Sequence, residues 1–167
     1  MRQILKAFCL AGFALAAQTS GVRACDSLEG AQSGPDDPCH RHPPGAPRFI
    51  WPANGRIMLG CRSPRDGVTL ALPLGTAVRA ADAGVVAYAG NELKAYGALI
   101  LIRHPNGFVS AYADNSALDV KRGDRVARGQ IIARSGESGA AITPQLHFEL
   151  RDKKGIAVDP RKYLACR

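Results

Sequence analysis

The sequence predicts an all-β fold, an antiparallel β-sandwich or open barrel of short strands, on three observations. Short runs of β-branched and aliphatic residues recur from residue 49 onward, each bounded by glycine, proline or asparagine. No stretch in that region sustains the 3.6-residue apolar period of a helix for more than a turn or two. A glycine turn leading to a β-branched pair occurs in Gly75-Thr76-Ala77-Val78 with Gly84-Val85-Val86-Ala87. It occurs again in Gly123-Asp124-Arg125-Val126 with Gly129-Gln130-Ile131-Ile132-Ala133, as expected of hairpins repeated across a pseudo-symmetric sandwich.

At 167 residues the chain has room for one domain and little else. Arg2 and Lys6 precede an apolar run from Ala7 to Ala17, then Gln18-Thr19-Ser20 and Val22-Arg23-Ala24. A basic start, a short apolar core and small residues at the cleavage point make a signal peptide over residues 1–24, and the run is too short to span a bilayer. The alternative is acylation of Cys25, against which Arg23 argues. The expectation is an exported, periplasmic protein that does not cross the membrane. Residues 25–48 form a Pro/Gly-rich leader with no element to bury. Its Cys39-His40-Arg41-His42 reads as solvated linker rather than metal site.

The formal charge of +8 includes three bases of the signal peptide, leaving +5 beyond it. A basic exported protein suits an anionic partner such as the cell wall, whereas export and the lack of any nucleic-acid motif exclude nucleic acid. Beyond Cys9, the cysteines are Cys25, Cys39, Cys61 and Cys166. In an oxidising compartment they suggest two disulfides with three possible pairings. Cys61–Cys166, tying the chain end to the domain start, and Cys25–Cys39 are favoured.

The domain proper is expected over residues 49–167. Phe49 to Pro52 is a hydrophobic entry, and Arg56 to Leu59 a first strand. Strands follow at Val68–Leu72, Ala77–Ala80 and Gly84–Ala89, and at Ala98–Arg103 as an apolar run buried on both faces. Pro105-Asn106-Gly107 makes a hairpin turn into Phe108–Ala113. A loop is expected from Asp114, then Arg125-Val126 and Ile131–Arg134. His104 serves the turn. Lys121, Arg122, Arg125, Arg128 and Arg134 read as a solvated basic face before an anionic-glycan site.

The last strand is the informative one. In Gln145-Leu146-His147-Phe148-Glu149-Leu150-Arg151, the apolar residues take one face, and Gln145, His147 and Glu149 the other. An imidazole between an amide and a carboxylate on an open strand face is a ligand or acid/base candidate. With Gly155 and Val158-Asp159-Pro160-Arg161-Lys162-Tyr163-Leu164 after it, the stretch resembles the end of a lysostaphin/LytM-type zinc endopeptidase domain. Those domains cut peptidoglycan cross-links on a fold called the duplicated hybrid motif. The resemblance runs over about residues 49 to 164.

The same resemblance locates the ligand positions. A zinc peptidase needs three protein ligands and an open position for water. The frame Arg65-Asp66-Gly67-Val68-Thr69-Leu70-Ala71-Leu72-Pro73-Leu74-Gly75-Thr76 is intact, but Arg65 and Thr69 stand where the family has histidine and aspartate. A guanidinium stays protonated and offers no accessible lone pair. Asp114 follows Tyr112-Ala113 where a catalytic histidine is usual, and Gln145 replaces the first histidine of His-x-His. His147 is the only retained ligand. Asp66, one residue from the Arg65 slot and three before Thr69, faces the wrong side to substitute. The expectation is no zinc, no other cofactor, no catalytic residue and no enzymatic activity.

A nearer resemblance is to the degenerate LytM domains of murein hydrolase activators of the EnvC and NlpD/DipM type. It is carried by Ala87 to Lys94, Tyr96-Gly97, Val120 to Asp124 and Pro144 to Arg151, with even Gln145 in agreement. It implies a non-catalytic protein of cell-wall remodelling and cell division. Its vacant groove would bind the regulatory helix of a periplasmic N-acetylmuramoyl-L-alanine amidase, and peptidoglycan itself is a further possible partner. The implied groove residues are Arg65, Thr69, Asp114, Gln145 and His147, with Asn91 and Glu92 on its rim and Arg65 gripping an acidic residue. Two alternatives stay open, a peptidoglycan-binding module without an amidase and a zinc peptidase with a rearranged site.

Overall fold

The computed structural model describes residues 45–58 and 67–166. The expected signal peptide, nearly all of the leader, Arg65, Asp66, Cys25, Cys39 and Cys61 lie outside them.

Among the described residues, ten strands form one antiparallel sheet that divides into two layers. They are β1 (Arg56–Met58), β2 (Val68–Ala71), β3 (Ala77–Arg79), β4 (Gly84–Gly90), β5 (Ala98–Arg103), β6 (Val109–Leu118), β7 (Arg125–Val126), β8 (Ile131–Ser135), β9 (Gln145–Arg151) and β10 (Ala157–Val158). The larger layer runs in the order β1-β2-β9-β6-β5-β4-β7, with β10 beside β9. β6 belongs to both layers. Residues 109–113 pair with β9, while 115–118 pair with β8, which in turn pairs with β3. Among the described residues there is no α-helix, and a single 3-10 turn, Pro160–Lys162, follows β10. The Asp159 carboxylate caps it by accepting from the Arg161 amide at 3.1 Å.

The main core lies between the two layers. Leu70, Leu146, Phe148, Leu150, Ile100, Ile102 and Tyr112 of the large layer meet Val78, Ile132 and Ala133 of the small one, all fully buried. Each large aliphatic or aromatic side chain buried there contributes about 1.5–3 kcal/mol. The alternation predicted for β9 is observed, with Leu146, Phe148 and Leu150 entering this core. A second, smaller cluster of Leu99, Leu101, Val109, Ala111 and Ala113 lies on the opposite face of the large layer, under Tyr88, Leu93 and Tyr96. β5 is buried on both faces, as its unbroken apolar run requires.

Two expectations are corrected. The loop anticipated from Asp114 is strand as far as Leu118. Ala98 pairs with Asn115 and Ile100 with Tyr112, so three steps on β6 face two on β5. The extra residue is a bulge, and the turn-forming Asp114-Asn115-Ser116 builds it instead of ending the strand. The two-residue β10 was not anticipated, being too short for an alternation pattern.

His104 serves the turn and more. Its backbone receives the Gly107 amide at 3.0 Å, closing the Pro105-Asn106-Gly107 hairpin. Its buried ring lies 5.1 Å from that of Phe49. Nδ1 is 2.8 Å from the Ala83 carbonyl, which can only accept, so in the neutral ring Nδ1 carries the proton and Nε2 accepts from Ser110 Oγ at 2.8 Å. The Tyr112 hydroxyl links Ser110 Oγ, at 3.0 Å, to the Ala81 amide, at 2.8 Å. Burial pushes the phenol up to about 12 and holds the imidazole below its ordinary 6.5. The sign follows from linkage: a depressed folded value means the unfolded chain takes up the proton first as pH falls. His104 therefore contributes stability that is complete above pH 6.5 and lost as pH falls below it toward the depressed folded value. In His104→Gln the fall in melting temperature between pH 7.5 and pH 5 is expected to be visibly shallower than in wild type, checked by thermal melts across that range.

Cys166 is disulfide-bonded. The chain end is further held where Ala165 donates to the Phe49 carbonyl at 2.8 Å and Trp51 Nε1 donates to the Ala165 carbonyl at 2.7 Å.

Candidate functional site

The polar face of β9 sits between β2 and β6, and the register decides which side chains meet. His147 is the direct partner of Thr69 on one side and of Ala113 on the other. Directly paired residues point to the same face, so Thr69 and His147 meet although 78 positions separate them. Thr69 Oγ1 lies 3.0 Å from His147 Nδ1, and Glu149 Oε1 lies 3.1 Å from His147 Nε2. A carboxylate only accepts, so in the neutral ring Nε2–H donates to Glu149 and Nδ1 accepts from the threonine hydroxyl. Glu149 also holds the Arg151 guanidinium at 3.3 Å, and Arg151 donates to the Gly155 carbonyl at 3.3 Å. Glu149 and Arg151 are both buried, so this pair is held in low dielectric with its geometry fixed by the strand.

A second pair lies at the start of β9. Gln145 Nε2 donates to Asp114 Oδ2 at 2.6 Å. Asp114 is the bulge residue and has φ +64°, the left-handed region that costs most side chains about 1 kcal/mol or more. The bulge aims its carboxylate across to β9, and its amide donates to the Tyr96 carbonyl at 3.0 Å. Asp114→Ala is expected to cost about 2 kcal/mol through the lost bond and the strained backbone. Asp114→Gly loses the same bond but relieves the strain, and should be closer to wild type. Urea unfolding of both variants checks the order.

The rim residues divide. Asn91 lines an open cleft of about 410 Å³ with Lys94, Asn115, Ser116 and Ser138. Ser138 Oγ closes its floor by accepting from the Ala98 amide at 2.9 Å and donating to the Asn115 carbonyl at 2.7 Å. Gly97, with φ +60°, passes so close that a Cβ would stand 2.4 Å from the Gly139 nitrogen, so only glycine fits. Glu92, in contrast, is turned to the Tyr88 hydroxyl, which donates to its carboxylate. That bond holds the Glu92 carboxyl below its usual range, while burial and then Glu92 raise the Tyr88 phenol.

Thr69, His147, Gln145 and Asp114 are thus brought onto one face, Asn91 and Glu92 diverge, and Arg65 lies outside the described residues. Sequence reasoning placed Glu149 on the polar face beside His147 but included neither it nor Arg151 among the groove residues. The signal was present, because both continue the polar alternation of β9.

The sequence profile of Peptidase family M23 matches residues 63–160. The chain belongs to peptidase family M23. An M23 relative, the "Murein hydrolase activator NlpD" of Escherichia coli, is 39% identical over 120 residues, covering 70% of this chain and 31% of its own length. The "Uncharacterized lipoprotein YgeR" of the same species is 38% identical over 125 residues, or 73% and 49% of the two chains. Among solved M23 structures, a putative peptidase from Pseudomonas aeruginosa superposes with a TM-score of 0.63 at 28% identity, covering 71% of this chain and 53% of the other. The chain spans half or less of the length of these curated relatives, one of which is named a murein hydrolase activator and the other a lipoprotein.

Among the described residues, those at the M23 ligand positions are not arranged to hold zinc. Of the two ring nitrogens of His147, one faces the Glu149 carboxylate and the other the Thr69 hydroxyl, at the position where the family has a metal-binding aspartate. Gln145 is committed to Asp114. Among the described residues no three histidine, cysteine, aspartate or glutamate side chains converge as a metal-holding group. What the face offers is a set of fixed donors and acceptors beside two apolar loop tips. Ile142 is 93% exposed and Leu74 62% exposed, and their loops are joined where the Leu72 amide meets the Pro144 carbonyl at 3.4 Å.

Proposed function

We propose that this M23 chain is a non-catalytic, zinc-free protein of cell-wall remodelling that activates a periplasmic N-acetylmuramoyl-L-alanine amidase. The face of β2, β9 and β6 receives the regulatory segment of the amidase. The observation that carries the reading is the hydrogen bond between Thr69 and His147. It spends the one retained ligand nitrogen on a neighbouring side chain, so the face serves recognition. Similarity to a protein named a murein hydrolase activator gives the reading its biology.

In this account Arg65 grips an acidic residue of the segment with two parallel bonds. Thr69, Asp114, Gln145 and His147 supply the polar floor, with Asn91 and Glu92 at the rim. Leu74 and Ile142 supply apolar contact. The protein is exported, residues 49–167 form the domain, and Cys61–Cys166 ties its ends. Activation is a population shift, since the open amidase is bound more tightly than the closed one. Moving a 1:99 equilibrium to 99:1 takes about 10⁴-fold preference.

Binding of residues 25–167 to immobilised amidase tests the reading. Arg65→Glu sets like charges together and should weaken binding at least about tenfold, and Gln145→Ala should weaken it less. Equal binding by wild type and Arg65→Glu would move the partner elsewhere on the domain.

A further inference from the structure

The register of the large layer lines up cations that the site does not use. Arg125 pairs with Val85, Val85 with Arg103, Arg103 with Val109, and Val109 with Arg151. Cross-strand partners share a face, so Arg125, Arg103 and Arg151 stand in one line on the face that carries His147. Each is two strands or about 10 Å from the next. Lys153 joins this corner, its stem lying against Gly107 of the β5–β6 turn, 3.3 Å from where a Cβ would stand. Arg151 is ion-paired with Glu149, whereas Arg103, Arg125 and Lys153 are exposed. Among the described residues no acid lies within ion-pair distance of these three.

The acids nearest in sequence are committed to turns. Asp124 Oδ2 accepts from the Lys121 amide at 3.0 Å, and Asp152 Oδ1 accepts from the Lys154 and Ile156 amides, each at 2.9 Å. The sequence reads Arg125 as one of a solvated basic run, but the register sets it apart. Arg128 is engaged with Asp82 at 3.9 Å and Arg134 with Asp119 at 3.4 Å, while Arg125 faces Arg103 across Val85. Two charges about 10 Å apart with a valine between them cannot be bridged by one small anion. They suit carboxylates carried at intervals on an extended chain. A lipid surface fits less well, because a membrane-bound face needs its bases beside its apolar residues. The exposed Leu74 and Ile142 lie beside Pro144, at the other end of the seven-residue β9 from Arg151.

We infer, on the cell-wall reading above, that Arg103, Arg125 and Lys153 form a docking row for the wall itself, holding a peptidoglycan strand by the carboxylates of its stem peptides. The row shares a face with Thr69 and His147 but lies beyond the Glu149–Arg151 pair. A partner on β2, β9 and β6 and a wall strand on β5, β4 and β7 therefore occupy neighbouring halves of one surface. Holding both at once presents the wall to the partner at a raised effective concentration, so recruitment is built into the domain.

Co-sedimentation of residues 25–167 with purified sacculi, without any amidase, is the test. Wild-type protein is expected to pellet at low salt and to be released at about 0.5 M salt, where exposed charges are screened. Arg103→Gln/Arg125→Gln should weaken pelleting at least about fivefold, with an unchanged circular dichroism melt because both side chains are exposed. Arg79→Gln/Lys162→Gln removes the same charge from exposed positions on β3 and the 3-10 turn, and should change pelleting less than about twofold. Sacculi whose carboxylates have been converted to amides should bind wild type and Arg103→Gln/Arg125→Gln alike. An equal loss from the two charge pairs would reduce the effect to net charge and overturn the row. So would undiminished pelleting of Arg103→Gln/Arg125→Gln, or failure of the wild type to pellet. Binding to immobilised amidase, measured alongside, separates the two readings. Wild-type protein that binds amidase but not sacculi overturns this inference alone, whereas protein that binds sacculi but not amidase overturns the amidase reading and leaves the row standing.

Discussion

Glu149→Ala is expected to destabilise the domain by about 3 kcal/mol or more, because it strands a buried guanidinium. Glu149 and Arg151 are both buried and ion-paired at 3.3 Å, and the same carboxylate fixes His147. Replacing both members of such a pair by apolar groups is often neutral, whereas deleting one leaves an uncompensated charge at about 3–5 kcal/mol. For a domain of this size the melting temperature should fall by roughly 10 °C. Glu149→Gln keeps an acceptor oxygen but not the charge and should lie between the two. The double variant Glu149→Leu/Arg151→Met should recover much of the loss. If Glu149→Ala melted within a degree or two of wild type, the pair would not hold β9 as described.

The second large effect concerns metal. Wild-type protein is expected to bind zinc too weakly to compete with a micromolar chromophoric chelator. Thr69→Asp removes the hydroxyl that occupies His147 Nδ1 and places a carboxylate directly across from the imidazole, since position 69 pairs with position 147. Combined with Arg65→His, it offers two imidazoles and a carboxylate, a ligand set that zinc accepts with an open fourth position. The double variant should bind at least about 100-fold more tightly, equivalent to about 2.7 kcal/mol. Stoichiometric zinc in the wild type would contradict the assignment of the face to recognition.

The fold was legible to the extent that its signals are local. Leu146, Phe148 and Leu150 alternate with polar neighbours, and β9 follows from that period alone. The unbroken Ala98–Arg103 run marks a strand buried on both faces. The continuation of β6 was hidden, because Asp114-Asn115-Ser116 has turn chemistry, and only the register against β5 reveals that Asp114 uses it for a bulge at φ +64°. The site was less legible than the fold. That Thr69 reaches His147, or Gln145 reaches Asp114, depends on pairing between strands 78 and 31 positions apart. Local pattern is silent on such pairings, and the family resemblance supplied part of them. Neither Glu149 nor Arg151 needed register, since Glu149 was already read on the polar face with His147 and Arg151 continues that alternation two residues further. Asn91 and Glu92 are neighbours in sequence that part in space, because Tyr88 draws Glu92 away from the cleft that Asn91 lines.

The measurement that reaches the central claim most directly is dye release from labelled sacculi by purified residues 25–167, with and without an amidase from the same cell. Release only when both proteins are present is the predicted result. Release by this protein without amidase, abolished by a chelator, would contradict it and return zinc chemistry to His147.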